Sequence, residues 1–238
     1  FRILSSSDKK IANTLIKDLT SANSLSQTKL SKEFNFDITT ILGFPQNWGL
    51  GSSSTLINNI AQWFKVNPYQ LHFSVFNGSG YDVAAASASN AITYQINNRK
   101  PIVKDKIFNP TYSNKIFFVH LNQKQNSYNE VKKYQENKNQ DKVDLATSSI
   151  NKITSKILDT PTLKQFETLI TEHEEIMASI LKVPTIQSKL FPDYKDGVIK
   201  SLGAWGGDFI LVTGNDESIN YFEKKGYCTI LRFNDMII

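Results

Sequence analysis

The sequence predicts an α+β protein on three observations. Stretches with apolar residues at helical spacing are interleaved with short β-branched runs. Helices and strands do not alternate in the regular way of a doubly wound parallel sheet. The composition, 40% hydrophobic and 21% charged over 238 residues, belongs to a globular chain able to bury a core. That length suits one large domain or two closely packed lobes. No apolar run approaches the ~18 to 20 residues that a membrane helix needs, and no signal-peptide pattern opens the chain. A single cysteine, Cys228, excludes an intramolecular disulfide and points to a reducing compartment, the cytoplasm being the expectation.

The elements follow in order. Ile11, Leu15, Ile16 and Leu19 recur at helical spacing behind Asp8, predicting a helix over 8–19, and a second short helix is expected over 25–34. Phe36 to Leu42 is β-branched and ends at Gly43, so it reads as a strand. Leu56, Ile57, Ile60, Ala61 and Phe64 share one face of a helix over 53–64. Asn67-Pro68 opens a further helix to Phe76, proline being favourable at the first position. Residues 81–89 are small and alanine-rich and read as helix; 91–96 and 116–121 read as strands. Long helical patterns fill 144–158 and 163–181. The chain closes with Val198-Ile199-Lys200, the third glycine cluster, a strand over 208–213, a helix over 218–225 and a strand over 228–233.

Glycine is scarce, 11 in all, yet seven fall in three clusters: Gly49/Gly51, Gly78/Gly80 and Gly203/Gly206/Gly207. Clustering of this kind marks places that need positive φ or close backbone approach. In the first cluster, Pro45-Gln46-Asn47-Trp48-Gly49-Leu50-Gly51-Ser52-Ser53-Ser54-Thr55, a glycine-serine loop runs straight into a helix. Exposed amides and the positive end of the helix dipole suit a phosphate, and the serine hydroxyls suit a hard metal such as magnesium. The same residues also suit a plain serine cap after a glycine turn. Neither the Walker ending nor the dinucleotide spacing is present. In the second cluster, Gly78-Ser79-Gly80-Tyr81-Asp82-Val83-Ala84-Ala85-Ala86, one carboxylate stands among small neighbours at a helix start, where it stays ionised and can orient a substrate hydroxyl or only cap the helix. The third, Ser201-Leu202-Gly203-Ala204-Trp205-Gly206-Gly207-Asp208, enters an apolar strand, either to approach a ligand or to make a tight turn.

The net charge of +5 is spread along the chain, much of it in the polar stretch 122–142, which reads as a solvated helix or surface insertion. A mild positive field favours an anionic small substrate. The three histidines, His72, His120 and His173, have no metal-ligand spacing; His173, within Glu172-His173-Glu174-Glu175, reads as part of a solvated helix face.

Taken together and in this order, the clusters resemble the motifs of the GHMP kinases, the superfamily of galactokinase, homoserine kinase and the mevalonate and phosphomevalonate kinases. Pro45-x-x-x-Gly49-Leu50-Gly51-Ser52-Ser53-Ser54 is similar to the phosphate-binding motif. The segment from Gly78 to Ala86 is similar to the Ser-Gly-aromatic-Asp-Val-Ala segment of the mevalonate and phosphomevalonate kinases, in a Gly-Tyr-Asp-Val-Ala form that resembles a bacterial subgroup. Ser201 to Asp208 resembles the third, glycine-rich motif. The likeness extends over about 41–231 and is sharp in the three motifs alone.

The resemblance implies an N-terminal lobe over 1–110 like the second domain of ribosomal protein S5, a ferredoxin-like lobe over 111–238, and ATP with Mg2+ held between them. It implies that Gly49, Leu50, Gly51, Ser52, Ser53, Ser54 and Thr55 cradle the triphosphate, that Ser53 (or Ser52) ligates magnesium, that Asp82 is catalytic, and that Gly203, Gly206 and Gly207 back the phosphate loop. The acceptor is then a small molecule, mevalonate- or phosphomevalonate-like, with a sugar or amino-alcohol as the alternative. Neither nucleic acid nor membrane is an expected partner, although a non-catalytic nucleotide- or RNA-binding protein is the rival from another class; a homodimer is compatible with the family. Three departures stand out. The family's opening strand with its Gly-Glu-His or Gly-Glu-Tyr segment and lysine is expected before Phe1, which reads as the inside of a protein. Gln70-Leu71-His72-Phe73 stands where mevalonate kinases place a magnesium glutamate. Trp205 occupies a position that is usually glycine.

Overall fold

The computed structural model describes residues 1–31, 35–123, 134, 140–203, 205 and 207–237. It is a mixed α/β chain, and the strand pairs among the described residues are antiparallel. Two compact units result, one formed by residues 1–44 and 50–106, the other by residues 45–49 and 107–238. Among the described residues no helix is long and apolar enough to cross a membrane.

The first unit holds helices α1 (Lys9–Leu25), α2 (Ser52–Phe64), α3 (Pro68–Val75) and α4 (Tyr81–Ala85) and a hairpin of β1 (Ala91–Asn97) and β2 (Lys100–Lys106). Asp8 caps α1 by accepting from the amides of Lys10 and Ile11. At the other end the Lys29 ammonium donates to the carbonyls of Asn23, Ser24 and Ser26 at 2.6, 2.7 and 2.8 Å, which satisfies groups the helix leaves open. Ser26 Oγ donates to Phe64 O at 2.8 Å and ties the ends of α1 and α2 together. Asn67 caps α3 with Pro68 in its first turn, as the sequence predicts. Ala22, Ile57, Ile60, Ala61, Phe64, Leu71 and Val83 form the core of the unit.

Two expectations fail here for physical reasons. Residues 36–42 form no ladder among the described residues, and Ile41 is 92% exposed: β propensity yields a strand only where a partner supplies the hydrogen bonds. Conversely β2, Lys-Pro-Ile-Val-Lys-Asp-Lys, has too little alternation to be read as a strand, yet it pairs with all of β1 through an Asn98-Arg99 turn in which both residues have positive φ. Of the second short helix expected over 25–34, residues 26–31 are not helical, and residues 32–34 lie outside the described set.

The second unit carries β3 (Ile116–His120), α5 (Gln140–Leu158), α6 (Leu163–Leu181), α7 (Ile186–Leu190), β4 (Ile199–Ser201), β5 (Phe209–Thr213), α8 (Asp216–Lys224), β6 (Ile230–Arg232) and α9 (Phe233–Met236). Its sheet runs β4-β5-β3-β6. Central β3 is buried along its whole length, with Ile116 opposite Thr213 and His120 opposite Phe209. The core joins Phe117, Val119, Ile210 and Val212 of the sheet to Phe191, Tyr194 and Phe222, and Tyr194 donates its hydroxyl to Thr213 O at 2.6 Å. α6 runs between the bounds its periodicity predicts, capped by Thr162; α8 opens on a capping box of Asn215 and Ser218. Most of the polar stretch 122–142 lies outside the described residues.

Candidate functional site

The glycine-serine loop is shared by the two units: residues 45–49 cluster with the second and residues from Leu50 onward with the first. In the second unit, Gln46–Trp48 make one 3-10 turn and Gly49 follows at φ +68°. Trp48 sets its ring edge-on to Phe209 at 5.6 Å and tilted to His120 at 6.3 Å. Gly49 lies directly against the carboxyl group of Asp208, so close that a side chain at position 49 would occupy the same space. The start of the first motif and the end of the third are therefore packed on each other, although they stand far apart in sequence. The Asp208 carbonyl in turn accepts from Leu121 N at 2.8 Å, which holds the loop end to the end of β3.

The third loop is anchored at its entrance as well. Glu174 of α6 is buried, and its carboxylate accepts from Ser201 Oγ at 2.8 Å, Ser201 N at 3.2 Å and Ile186 N at 3.4 Å. The Lys200 ammonium stands 3.8 Å from the same carboxylate and donates to Ser201 O at 3.0 Å. Burial lowers the Lys200 pKa, and Glu174 works against that shift. His173 departs from the solvated face expected of it: burial, with Lys200 adding a like charge, pulls it down to about 4, and its Nδ1 is enclosed without a partner. Within the loop Gly203 has φ +58° and Gly207 is buried, while Gly206 lies outside the described residues. Trp205 adopts φ +62°, so a bulky side chain occupies a backbone conformation that favours glycine, and its ring stands 5.9 Å from that of Tyr134.

In the first unit the loop continues through Gly51, at φ +80°, into α2. Gly51 is the N-cap and brings no side-chain acceptor, so the amides of Ser52, Ser53 and Ser54 open the helix without a side-chain cap. Ser53 is exposed and Ser54 buried. Thr55 turns its hydroxyl back to Gly51 O at 3.1 Å, so that hydroxyl serves the helix start. Such a terminus can hold an anionic oxygen cluster through amides and dipole. Among the described residues no three His, Cys, Asp or Glu side chains gather as a metal cage. A magnesium ion that takes most of its ligands from water and phosphate needs none, and the exposed Ser53 hydroxyl is a suitable single protein ligand.

Asp82 is the second residue of α4 and is exposed. Gly80 precedes it at φ +81°, a reversal that a side chain at this position would strain. Around it, Tyr94 of β1 donates its hydroxyl to Ser79 O at 2.6 Å, and the Asn58 side-chain amide of α2 donates to Val83 O at 2.9 Å and Ser54 O at 3.2 Å. The first two motifs are thus joined inside this unit through Asn58. His72, stacked on Phe76 at 5.6 Å, has its pKa lowered by burial, opposed by the Gly78 backbone and the Asp82 charge.

Three contributors, Asn58, Tyr94 and Glu174, escape a reading by motif, and Asp208, the last residue of the third motif, was given no partner by it. Two left a signal in the helical phase: Asn58 falls on the apolar face beside Ile57 and Ala61, and Glu174 follows Phe166 and Ile170 in steps of four. A polar residue on a buried face must bond to something, and both do. For Tyr94, and for the pairing of Asp208 with Gly49, no such signal exists, because the partners come from distant segments. No known protein-family model matches the chain, and a search of curated proteins finds no match.

Proposed function

We propose that this chain is an ATP-dependent small-molecule kinase of the GHMP type, transferring the γ-phosphate of ATP to a hydroxyl or phosphate acceptor of mevalonate or phosphomevalonate character. The observation that carries the proposal is the packing of Gly49 against Asp208, which joins the phosphate-binding motif to the glycine-rich motif that should back it. Two others support it. The second unit runs strand, helices, two strands, helix, strand with all neighbours antiparallel, the order of a ferredoxin-like lobe; the first unit is assigned to the S5-like lobe. The N-terminus of α2 is open to an anion, and Asn58 links it to the helix of Asp82.

In this reading the amides of Ser52, Ser53 and Ser54 and the α2 dipole bind phosphate oxygens. Gly203 and Gly207 give the third motif the backbone freedom that a ligand-approaching loop needs. Ser53 offers its hydroxyl to the magnesium that accompanies ATP and that neutralises charge on the transferred group. Asp82 orients the acceptor hydroxyl and takes its proton as the new phosphorus–oxygen bond forms and the bond from the γ-phosphorus to the departing ADP breaks. Positioning and charge neutralisation account for most of such a reaction, so few reactive side chains are required.

Purified protein should release ADP from ATP in the presence of mevalonate or phosphomevalonate. Asp82→Asn should lower kcat about 10²- to 10⁴-fold while nucleotide affinity stays near wild type. Full activity in the Asn variant would remove Asp82 from the mechanism. Steeply salt-dependent RNA binding without ATP binding would replace the kinase reading altogether.

A further inference from the structure

We propose that Asn58 and Tyr94 form a two-point clamp on the segment that carries Asp82, and that both are positioning residues of the reaction; the proposal rests on the kinase reading above. α4 has five residues, too few to hold a helix by its own hydrogen bonds. The Gly78-Ser79-Gly80 loop in front of it has little conformational preference of its own. Asp82, being exposed, takes its placement from its neighbours in the chain.

Both sides of Asp82 are tied by side-chain donors from other elements. Three residues before it, Ser79 O accepts from Tyr94 OH at 2.6 Å; one residue after it, Val83 O accepts from Asn58 Nδ2 at 2.9 Å. Val83 itself is fully enclosed, and Asn58 is 5% exposed among Ile57, Ile60 and Ala61. An aliphatic side chain would fill that core position without desolvating an amide, so the two bonds are what the amide adds there. Its second bond reaches Ser54 O in the first turn of α2. A single side chain thereby sets the spacing between the helix start proposed for phosphate and the carboxylate proposed for the acceptor.

The test compares Tyr94→Phe, Asn58→Ala and the double variant with wild type. It measures steady-state kinetics, ADP affinity by calorimetry, thermal midpoint and amide exchange at 81–84. Each single variant should lower kcat about 10- to 100-fold, with ADP affinity within about twofold of wild type and faster exchange at Val83 and Ala84. The double variant should lose less than the product of the two, since both act on one carboxylate. Tyr94→Phe removes one oxygen only and keeps the test decisive if Asn58→Ala folds poorly. A lowered midpoint with kcat unchanged would reduce the pair to a structural brace and overturn the proposal, as would unchanged exchange at 81–84 in both variants. A wild-type chain that turns over no ATP with any acceptor overturns the kinase reading instead, and the exchange data then still report on the clamp.

Discussion

Replacing Gly49 by alanine should be among the most damaging single-methyl additions in the second unit, and its cost separates into two parts. At φ +68° an alanine pays the left-handed penalty, about 1 to 2 kcal/mol. The added Cβ would also lie no more than 2.7 Å from all three heavy atoms of the Asp208 carboxyl group, an overlap that an ordered loop relieves only by moving, for about 1 to 3 kcal/mol more. Gly49→Ala should therefore destabilise the unit by about 2 to 5 kcal/mol. In an Asp208→Gly background the overlap vanishes and only the backbone part remains. Urea unfolding followed by tryptophan fluorescence suits the measurement, since Trp48 packs on Phe209 within the same unit. The double-mutant cycle should give a coupling of about 1 to 3 kcal/mol, with losses specific to Asp208 cancelling. A single variant within about 0.5 kcal/mol of wild type, or an equal penalty in both backgrounds, would refute the packing of the first motif on the third.

Three further variants probe two buried carboxylates. Asp18, 2% exposed in α1 with Oδ1 lacking a partner, has its pKa pushed up by burial from 3.8 to about 6. Its protonated form is the one the fold favours, so the stability it supports is complete below about pH 4 and lost as pH rises through about 6; Asp18→Asn should abolish that slope and gain up to about 3 kcal/mol at pH 7, measured by urea unfolding at both pH values. Glu174 behaves oppositely because it is well bonded: Glu174→Ala strands the amide and hydroxyl of Ser201, the amide of Ile186 and the Lys200 ammonium, and should cost about 3 to 5 kcal/mol. Glu174→Gln retains an acceptor and should lose about 1 to 3 kcal/mol in the same unfolding assay.

Legibility in the sequence follows the range of the interaction. Helices α2, α3 and α6 could be placed because their caps and apolar faces are local, and Gly51 and Gly80 do stand at positive φ where the clusters suggested. Residues 36–42 read as a strand and form no ladder, and β2 carried no strand signal, because pairing, unlike capping, depends on a second segment. His173 and Glu174 share an acidic run that looks solvated, yet the helical phase turns Glu174 inward onto the Ser201 loop. Trp205 shows the converse: a position suited to glycine by backbone is held by tryptophan, which the resemblance could mark only as a departure.

By itself the sequence determined the order and content of the three glycine motifs, the place of Asp82 at a helix start and the α+β class, since these rest on residue type, spacing and local propensity. Tertiary structure alone decided which motifs touch. It set Asp208 on Gly49, Asn58 between Ser54 and Val83, Tyr94 on Ser79 and Glu174 on Ser201. The Asn58 and Glu174 contacts satisfy buried polar groups, Asp208 fills the space left by an absent Cβ, and Tyr94 holds a more exposed carbonyl; each such demand can be met from any point along the chain that folding brings within reach.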